Sequence, residues 1–360
     1  MKRINIMTSC DNNLVKYLLP QIVSIEKNLS EYDVHFYLAH SRIEKDSLQM
    51  LESFIKENTG ITFHEAKVEN TSFYEKFVVD GGRQWPHEAY ITLRLQDYLP
   101  QDVDRILYID AGDVIIDGDI APYYFDDFEG NSLIATALSF KANPVTNEQE
   151  LYTSEDILEL AHKCLFNSGS YVINVEKFRS EGYTENDYLY LQNALKENAK
   201  PGEIAYFGDQ GFLAAAFVGD VKIFGYPDNK DPSYMPYNFR SSFWQWYKRE
   251  PDYKPVVLHY AIISKPWIVR FDDEVIETII DKPDFVSKVL VVPMPTIACM
   301  TPQHLRLGEV WWDYAKETPI YEDADIRARI TAENWVKYYL PLCEQYNNLY
   351  SNYVVLKQKS

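Results

Sequence analysis

Two carboxylates end one apolar run of this chain and a histidine ends another. Asp110 and Asp113 follow Ile106, Leu107, Tyr108 and Ile109 in the stretch DAGD, so at least one of them sits at the edge of a core. A carboxylate placed there wants a cation. Hard divalent ions such as Mg²⁺ and Mn²⁺ take oxygen ligands from one or two carboxylates plus substrate phosphates. His259 closes the run Val256, Val257, Leu258, and Lys265 follows it within LHYAIISKPW, residues 258–267. The imidazole could complete a metal shell and the ammonium could pair with a phosphate oxygen, although a lone histidine is also commonly structural.

Two further acidic pairs flank the first. Asp102 and Asp104 precede the apolar run and read as a solvated turn, and Asp117-Gly118-Asp119, a literal D-x-D, reads first as an Asp-Gly turn. FNSGSYVIN (166–174) and FGDQGF (207–212) offer amides and hydroxyls of the kind sugar hydroxyls bind. Their alternatives are a β-turn at Asn167 to Gly169 and a helix N-cap at Asp209.

The elements that must position these residues alternate. Arg3 to Ser9 reads as a buried strand, and Leu14 to Leu29 as a helix with Leu18, Ile22, Ile25 and Leu29 on one face. The cycle repeats through strands at Val34 to Ala39 and Ile61 to Ala66, with a helix at Glu44 to Asn58 between them. His87 to Tyr98 fits a helix and Arg105 to Ile109 a strand that stops at DAGD. Such alternation predicts a parallel sheet covered on both faces, with ligands outside the carboxyl ends of its strands. Further strands fit Leu133 to Leu138, Tyr171 to Val175, Val221 to Phe224 and Val256 to His259, with helices near Thr184 to Asn198 and Asp209 to Phe217. Beyond Trp267 the alternation fades and a mainly helical, aromatic region follows. The expected division is therefore 1–267 and 268–360.

The chain has 360 residues, 46% of them hydrophobic, and a formal charge of −19 from 54 acidic and 35 basic side chains. A field of that sign repels phosphate backbones and argues against nucleic acid as a partner. A small phosphorylated ligand needs a local cation. Cys10, Cys164, Cys299 and Cys343 form no C-x-x-C pair. No signal-peptide pattern opens the sequence and no apolar run is long enough to span a bilayer, so a cytoplasmic location is expected, at most touching the inner face of the membrane.

In this order the motifs resemble glycosyltransferase family 8, the group that includes bacterial lipooligosaccharide galactosyltransferases and glycogenin. The resemblance runs through CDNN, AYITLRLQDYLP, ILYIDAGDVIIDGDI, FNSGSYVINV, DQGFL and HYAIISKPW, and EVWWDYA at 309–315 resembles that family's C-terminal region. It implies a GT-A type, Rossmann-like fold whose mostly parallel central sheet is flanked by helices. It implies that Asp110, Asp113 and His259 hold Mn²⁺ or Mg²⁺ against the diphosphate of a UDP-sugar. Asp11 and Asn12 would contact the uridine, Arg94 and Ala111 would lie beside the donor, and Lys265 would stabilise the departing UDP. Asn167, Asp209 and Gln210 would line the sugar. The family's usual D-x-D is D-x-x-D here, with Gly112 able to absorb the extra residue through backbone angles that other residues avoid. Gly211, Ala214 and Ile262 also depart from the family pattern.

The implied reaction moves a hexose, glucose or galactose, from a UDP-hexose to the hydroxyl of a glycan, lipid-linked or protein-linked acceptor, with retention. Gln210 is a poor nucleophile, which favours attack on the same face as departure. A nucleotidyltransferase should carry a basic, glycine-rich first loop, whereas SCDNNL is acidic and lacks glycine. A non-catalytic sugar-nucleotide-binding or scaffold protein of the same fold is the other alternative. The aromatic C-terminal region has no basic cluster for anionic lipid and predicts at most weak peripheral membrane association.

Overall fold

The computed structural model describes residues 1–80, 83–137, 166–181, 183–206, 208–224, 256–260, 265–272, 274, 302–339 and 345. The chain divides into two compact units, Met1–His259 and Tyr260–Ser360.

The first unit is built on a seven-stranded sheet. Its strands are β1 (Arg3–Ser9), β2 (Asp33–His40), β3 (Thr62–Lys67), β6 (Arg105–Ile109), β8 (Leu133–Ala137), β9 (Phe166–Asn174) and β10 (Val221–Ile223), in the order β10-β8-β9-β6-β1-β2-β3. β1 is parallel to β2 and β6, β2 to β3, and β10 to β8. β9 runs antiparallel to both of its neighbours, β6 and β8. All of β1 after Arg3 is buried, as a strand covered on both faces requires. The mostly parallel sheet expected from the alternation of elements is therefore present, with one reversed strand at the place where FNSGSYVIN lies.

Two short ladders stand apart from the sheet. β4 (Val79–Asp80) pairs with β5 (Arg83–Gln84), and β7 (Val114–Ile116) pairs antiparallel with β11 (Val257–His259). The second ladder matters for function, because its register sets His259 opposite Val114.

Helix α1 (Leu18–Leu29) buries its apolar stripe, but it also turns three polar side chains toward β7 and the loop before it. Gln21 donates through Nε2 to the carbonyls of Asp110 and Val114, both at 2.8 Å. Ser24 Oγ accepts the Ile116 N–H at 3.2 Å, and Asn28 donates to the Ile116 carbonyl at 2.9 Å. Spaced at i, i+3 and i+7, these side chains occupy one helix face and satisfy backbone groups along β7.

The segment His87–Asp97 is not the continuous α-helix expected. It forms 3-10 turns interrupted at Arg94, whose φ of −130° and ψ of 33° leave the helical region. The helix Glu185–Asn198 starts as the sequence suggests, with a capping box between Thr184 and Asp187.

The second unit contains the helices Pro302–Ala315 and Tyr321–Asn334. Trp311 and Trp312 are buried, as are Ala324, Ala328 and Ala332 at four-residue spacing. Arg270, also buried, forms ion pairs with Glu309 and Asp325, both at 2.6 Å, and lies over the Trp312 ring. No helix among the described residues is long and apolar enough to cross a membrane.

Candidate active site

Three segments meet at the carboxyl end of β6. The loop Asp110–Asp113 leaves the strand, β9 passes beside it, and β11 brings His259. Asp110 N–H donates to the Gly169 carbonyl at 3.0 Å, which holds the first carboxylate residue against β9. Gly112 adopts a φ of +74°, so the extra residue of DAGD is absorbed in a conformation that favours glycine. Gln21 binds this loop through the two carbonyls above and accepts the Gly112 N–H at 3.4 Å.

Asp110, Asp113 and His259 converge, each offering a ligand atom within 4.8 Å of the others. His259 Nε2 lies 3.2 Å from Asp110 Oδ2 and 3.7 Å from Asp113 Oδ2. Asp113 and His259 are buried, while Asp110 is 34% exposed and opens the site to ligand. Ala111 is buried within the loop.

The ring of His259 is oriented from its other side. Asn167 Oδ1 accepts the backbone N–H of Gly169 at 3.0 Å, so this atom is the carbonyl oxygen of the amide. The same oxygen stands 2.9 Å from His259 Nδ1, which must therefore carry a proton and donate it. Nε2 then faces two carboxylates, an arrangement that suits a cation held among the three. An oxygen-rich donor set completed by one imidazole nitrogen fits Mn²⁺ or Mg²⁺. The histidine packs so closely on β9 that a Cβ added at Gly169 would fall 2.1 Å from its Cε1.

The remaining candidates divide. Asp209 and Gln210 open the helix Gly208–Ala216 next to Asn167 and Ser168. Gln210 Oε1 accepts the Ser168 N–H at 3.3 Å and Asn167 Nδ2 at 3.5 Å. The Asp209 carboxyl is pushed up to about 7, first by desolvation and then by the charge of Asp110, against hydrogen bonds from Ser168 and backbone N–H groups. Asp11 accepts the N–H groups of Asn13 and Leu14, and Asn12 Oδ1 accepts the Glu44 N–H at 3.0 Å, so both shape the loop after β1. Lys265 belongs to the second unit, where its ammonium donates to the Tyr260 carbonyl at 3.2 Å.

Arg94, expected beside the donor, has its guanidinium bound by Asp97, through Nε at 2.8 Å and Nη2 at 2.9 Å, and by the Tyr183 carbonyl. The literal D-x-D also takes no part in the cluster, since Asp119 Oδ1 caps the Ala121 N–H in a turn. Ile262 and the aromatic stretch 238–249 lie outside the described residues.

Gln21 is a site residue that the sequence reading missed. Its only signal is an amide next to Ile22 on a helix that should bury that stripe. Gln21→Leu should leave two backbone carbonyls and the Gly112 N–H without this partner and cost roughly 2–4 kcal/mol, to be read from urea unfolding.

A mostly parallel sheet with an acidic loop and a histidine gathered at its carboxyl edge is a GT-A type of fold. The chain belongs to glycosyl transferase family 8, whose profile matches residues 5–269. It is similar to glycosyltransferase GlyF of Streptococcus pneumoniae, 24% identical over 74% of this chain and 57% of that protein. The chain thus spans little more than half the length of that relative. It is 24% identical to the lipopolysaccharide 1,2-glucosyltransferase of Escherichia coli, over 73% of each chain. The crystal structure of the galactosyltransferase LgtC with donor and acceptor sugar analogues matches with a TM-score of 0.55 at 20% identity, covering 73% of this chain and 89% of that one.

Proposed function

We propose that the protein is a retaining hexosyltransferase that moves glucose or galactose from a UDP-sugar to a hydroxyl of a glycan, lipid-linked or protein-linked acceptor. The observation that carries this reading is the convergence of Asp110, Asp113 and His259 at the carboxyl edge of the sheet, with the histidine's second nitrogen held by Asn167. These three residues would hold Mn²⁺ or Mg²⁺, which when bound supplies Lewis-acid neutralisation of charge gathering on a departing diphosphate. The names of the relatives, a lipopolysaccharide glucosyltransferase and a galactosyltransferase, support a hexose donor and a glycan-type acceptor.

Each residue has an assigned task. Lys265 adds a point charge for the diphosphate, stronger as the glycosidic bond breaks. Asp11 and Asn12 form the loop that meets the uridine. Asp209, at the start of the helix Gly208–Ala216, lines the sugar. Gln210 is an amide with its carbonyl oxygen already engaged, which suits same-face substitution better than a covalent intermediate. Residues 1–267 form the catalytic domain and 268–360 its extension, working in the cytoplasm with weak membrane association at most.

The test is UDP release from a panel of UDP-sugars, with and without acceptor, in Mn²⁺ and in EDTA. We expect one donor to turn over in Mn²⁺ and to stop in EDTA. Absence of UDP release from every donor in the presence of acceptor would reject the reading, and release of pyrophosphate would indicate nucleotidyl transfer.

A further inference from the structure

We propose that Asn167 is a positioning residue that links the metal-binding histidine to Gln210. The inference rests on the metal reading above.

The side chain is 2% exposed and its hydrogen-bonding capacity is largely committed. Oδ1 has both of its acceptor positions used, one by the Gly169 N–H at 3.0 Å and the other by His259 Nδ1 at 2.9 Å. The first bond fixes which end of the amide is oxygen. The second therefore fixes which nitrogen of the imidazole keeps its proton, leaving Nε2 directed at Asp110 and Asp113. Nδ2 points the opposite way, to Gln210 Oε1 at 3.5 Å, an oxygen that also accepts the Ser168 N–H at 3.3 Å. One amide thus spans β9 between a metal ligand and a residue proposed to line the sugar. It sits on β9 between the Phe166 pairing with β8 and the Ser170 pairing with β6. An acceptor behind a ligating histidine sets its tautomer and ring angle, and losing one costs about 10- to 100-fold in metal affinity or activity.

The two ends can be separated by mutation. Asn167→Ala removes both contacts. Asn167→Asp keeps an oxygen for Gly169 N–H and His259 Nδ1–H but loses the donor to Gln210 and sets a carboxylate against its carbonyl oxygen. Mn²⁺ affinity of the full-length protein, without nucleotide, is measured by the electron paramagnetic resonance signal of free Mn²⁺, beside kcat and KM for UDP release and a thermal melt. We expect Asn167→Ala to bind Mn²⁺ about 10- to 100-fold more weakly. We expect Asn167→Asp to bind it at least as well as the parent while kcat falls about 10-fold or more with KM for the donor nearly unchanged.

Wild-type Mn²⁺ affinity in a folded Asn167→Ala protein would overturn the histidine half of the proposal, and wild-type kcat in Asn167→Asp the Gln210 half. Should the alanine variant fail to fold, loss of Mn²⁺ binding by a folded Asn167→Asp protein overturns the proposal by itself. A parent protein that binds no Mn²⁺ defeats the metal reading and this inference together, and is recognised before any variant is made.

Discussion

Asp110→Asn is expected to lower metal-dependent UDP release by about 100- to 1,000-fold. The metal's contribution to such a reaction is several kcal/mol, and each 1.36 kcal/mol is tenfold in rate. Asparagine keeps the size of the side chain and one oxygen, but removes the charge that a divalent ion requires. The backbone of residue 110 is held independently of its side chain, by Gly169 through its N–H and by Gln21 through its carbonyl. Thermal stability should consequently stay close to that of the parent, which separates loss of chemistry from loss of fold. Asp119→Asn is the matching control. Its side chain caps a turn at Ala121, and activity should persist. Full metal-dependent turnover in Asp110→Asn would remove that residue from the ligand set.

Gly169→Ala should be nearly as severe for a different reason. The new methyl would fall 2.1 Å from Cε1, 2.5 Å from Nδ1 and 2.7 Å from Nε2 of His259, a separation no contact tolerates. The strand is pinned to β6 on one side, so the imidazole has to move. Overpacking of this sort costs about 1–3 kcal/mol of stability. Displacing a metal ligand should also weaken Mn²⁺ binding by at least about 10-fold, an effect on the order of losing its supporting hydrogen bond. Gly130→Ala serves as the comparison. Its φ of +82° makes alanine strained, yet a Cβ there meets nothing within 4 Å, so stability should fall while Mn²⁺ affinity stays unchanged. A Gly169→Ala protein with unaltered Mn²⁺ affinity would show that His259 does not ligate.

Much of this site was legible before the structure. Asp110 and Asp113 stood out because four apolar residues precede them, and such a run ends where a strand leaves the core. His259 stood out for the same reason at the end of β11. The conformational freedom of Gly112 was readable from the single extra residue in DAGD, and its φ of +74° bears that out. The contacts that hold these residues in place were less visible. Gln21 acts across the fold, from helix to loop, and a glutamine beside an apolar stripe carries no mark of its partner. Asn167 to Gly169 could be read as a turn, since asparagine, serine and glycine favour turns, but the segment lies within β9, between the pairing of Phe166 with β8 and that of Ser170 with β6. Arg94 was placed by likeness of motif alone, and neither its pairing with Asp97 nor the break in its own helical segment was legible in the local pattern. Local pattern reports which face of an element is apolar. Which polar groups meet across elements depends on topology.

The small ladder between β7 and β11 also has a bearing on the order in which the protein matures. Every strand of the large sheet has been synthesised once residue 223 is made, whereas β11 begins only at Val257. The strands of the central sheet are thus all made before the chain has His259, the histidine of the candidate metal site. Translation that stopped between these points would yield a chain holding all seven sheet strands but only Asp110 and Asp113 of the candidate ligand set.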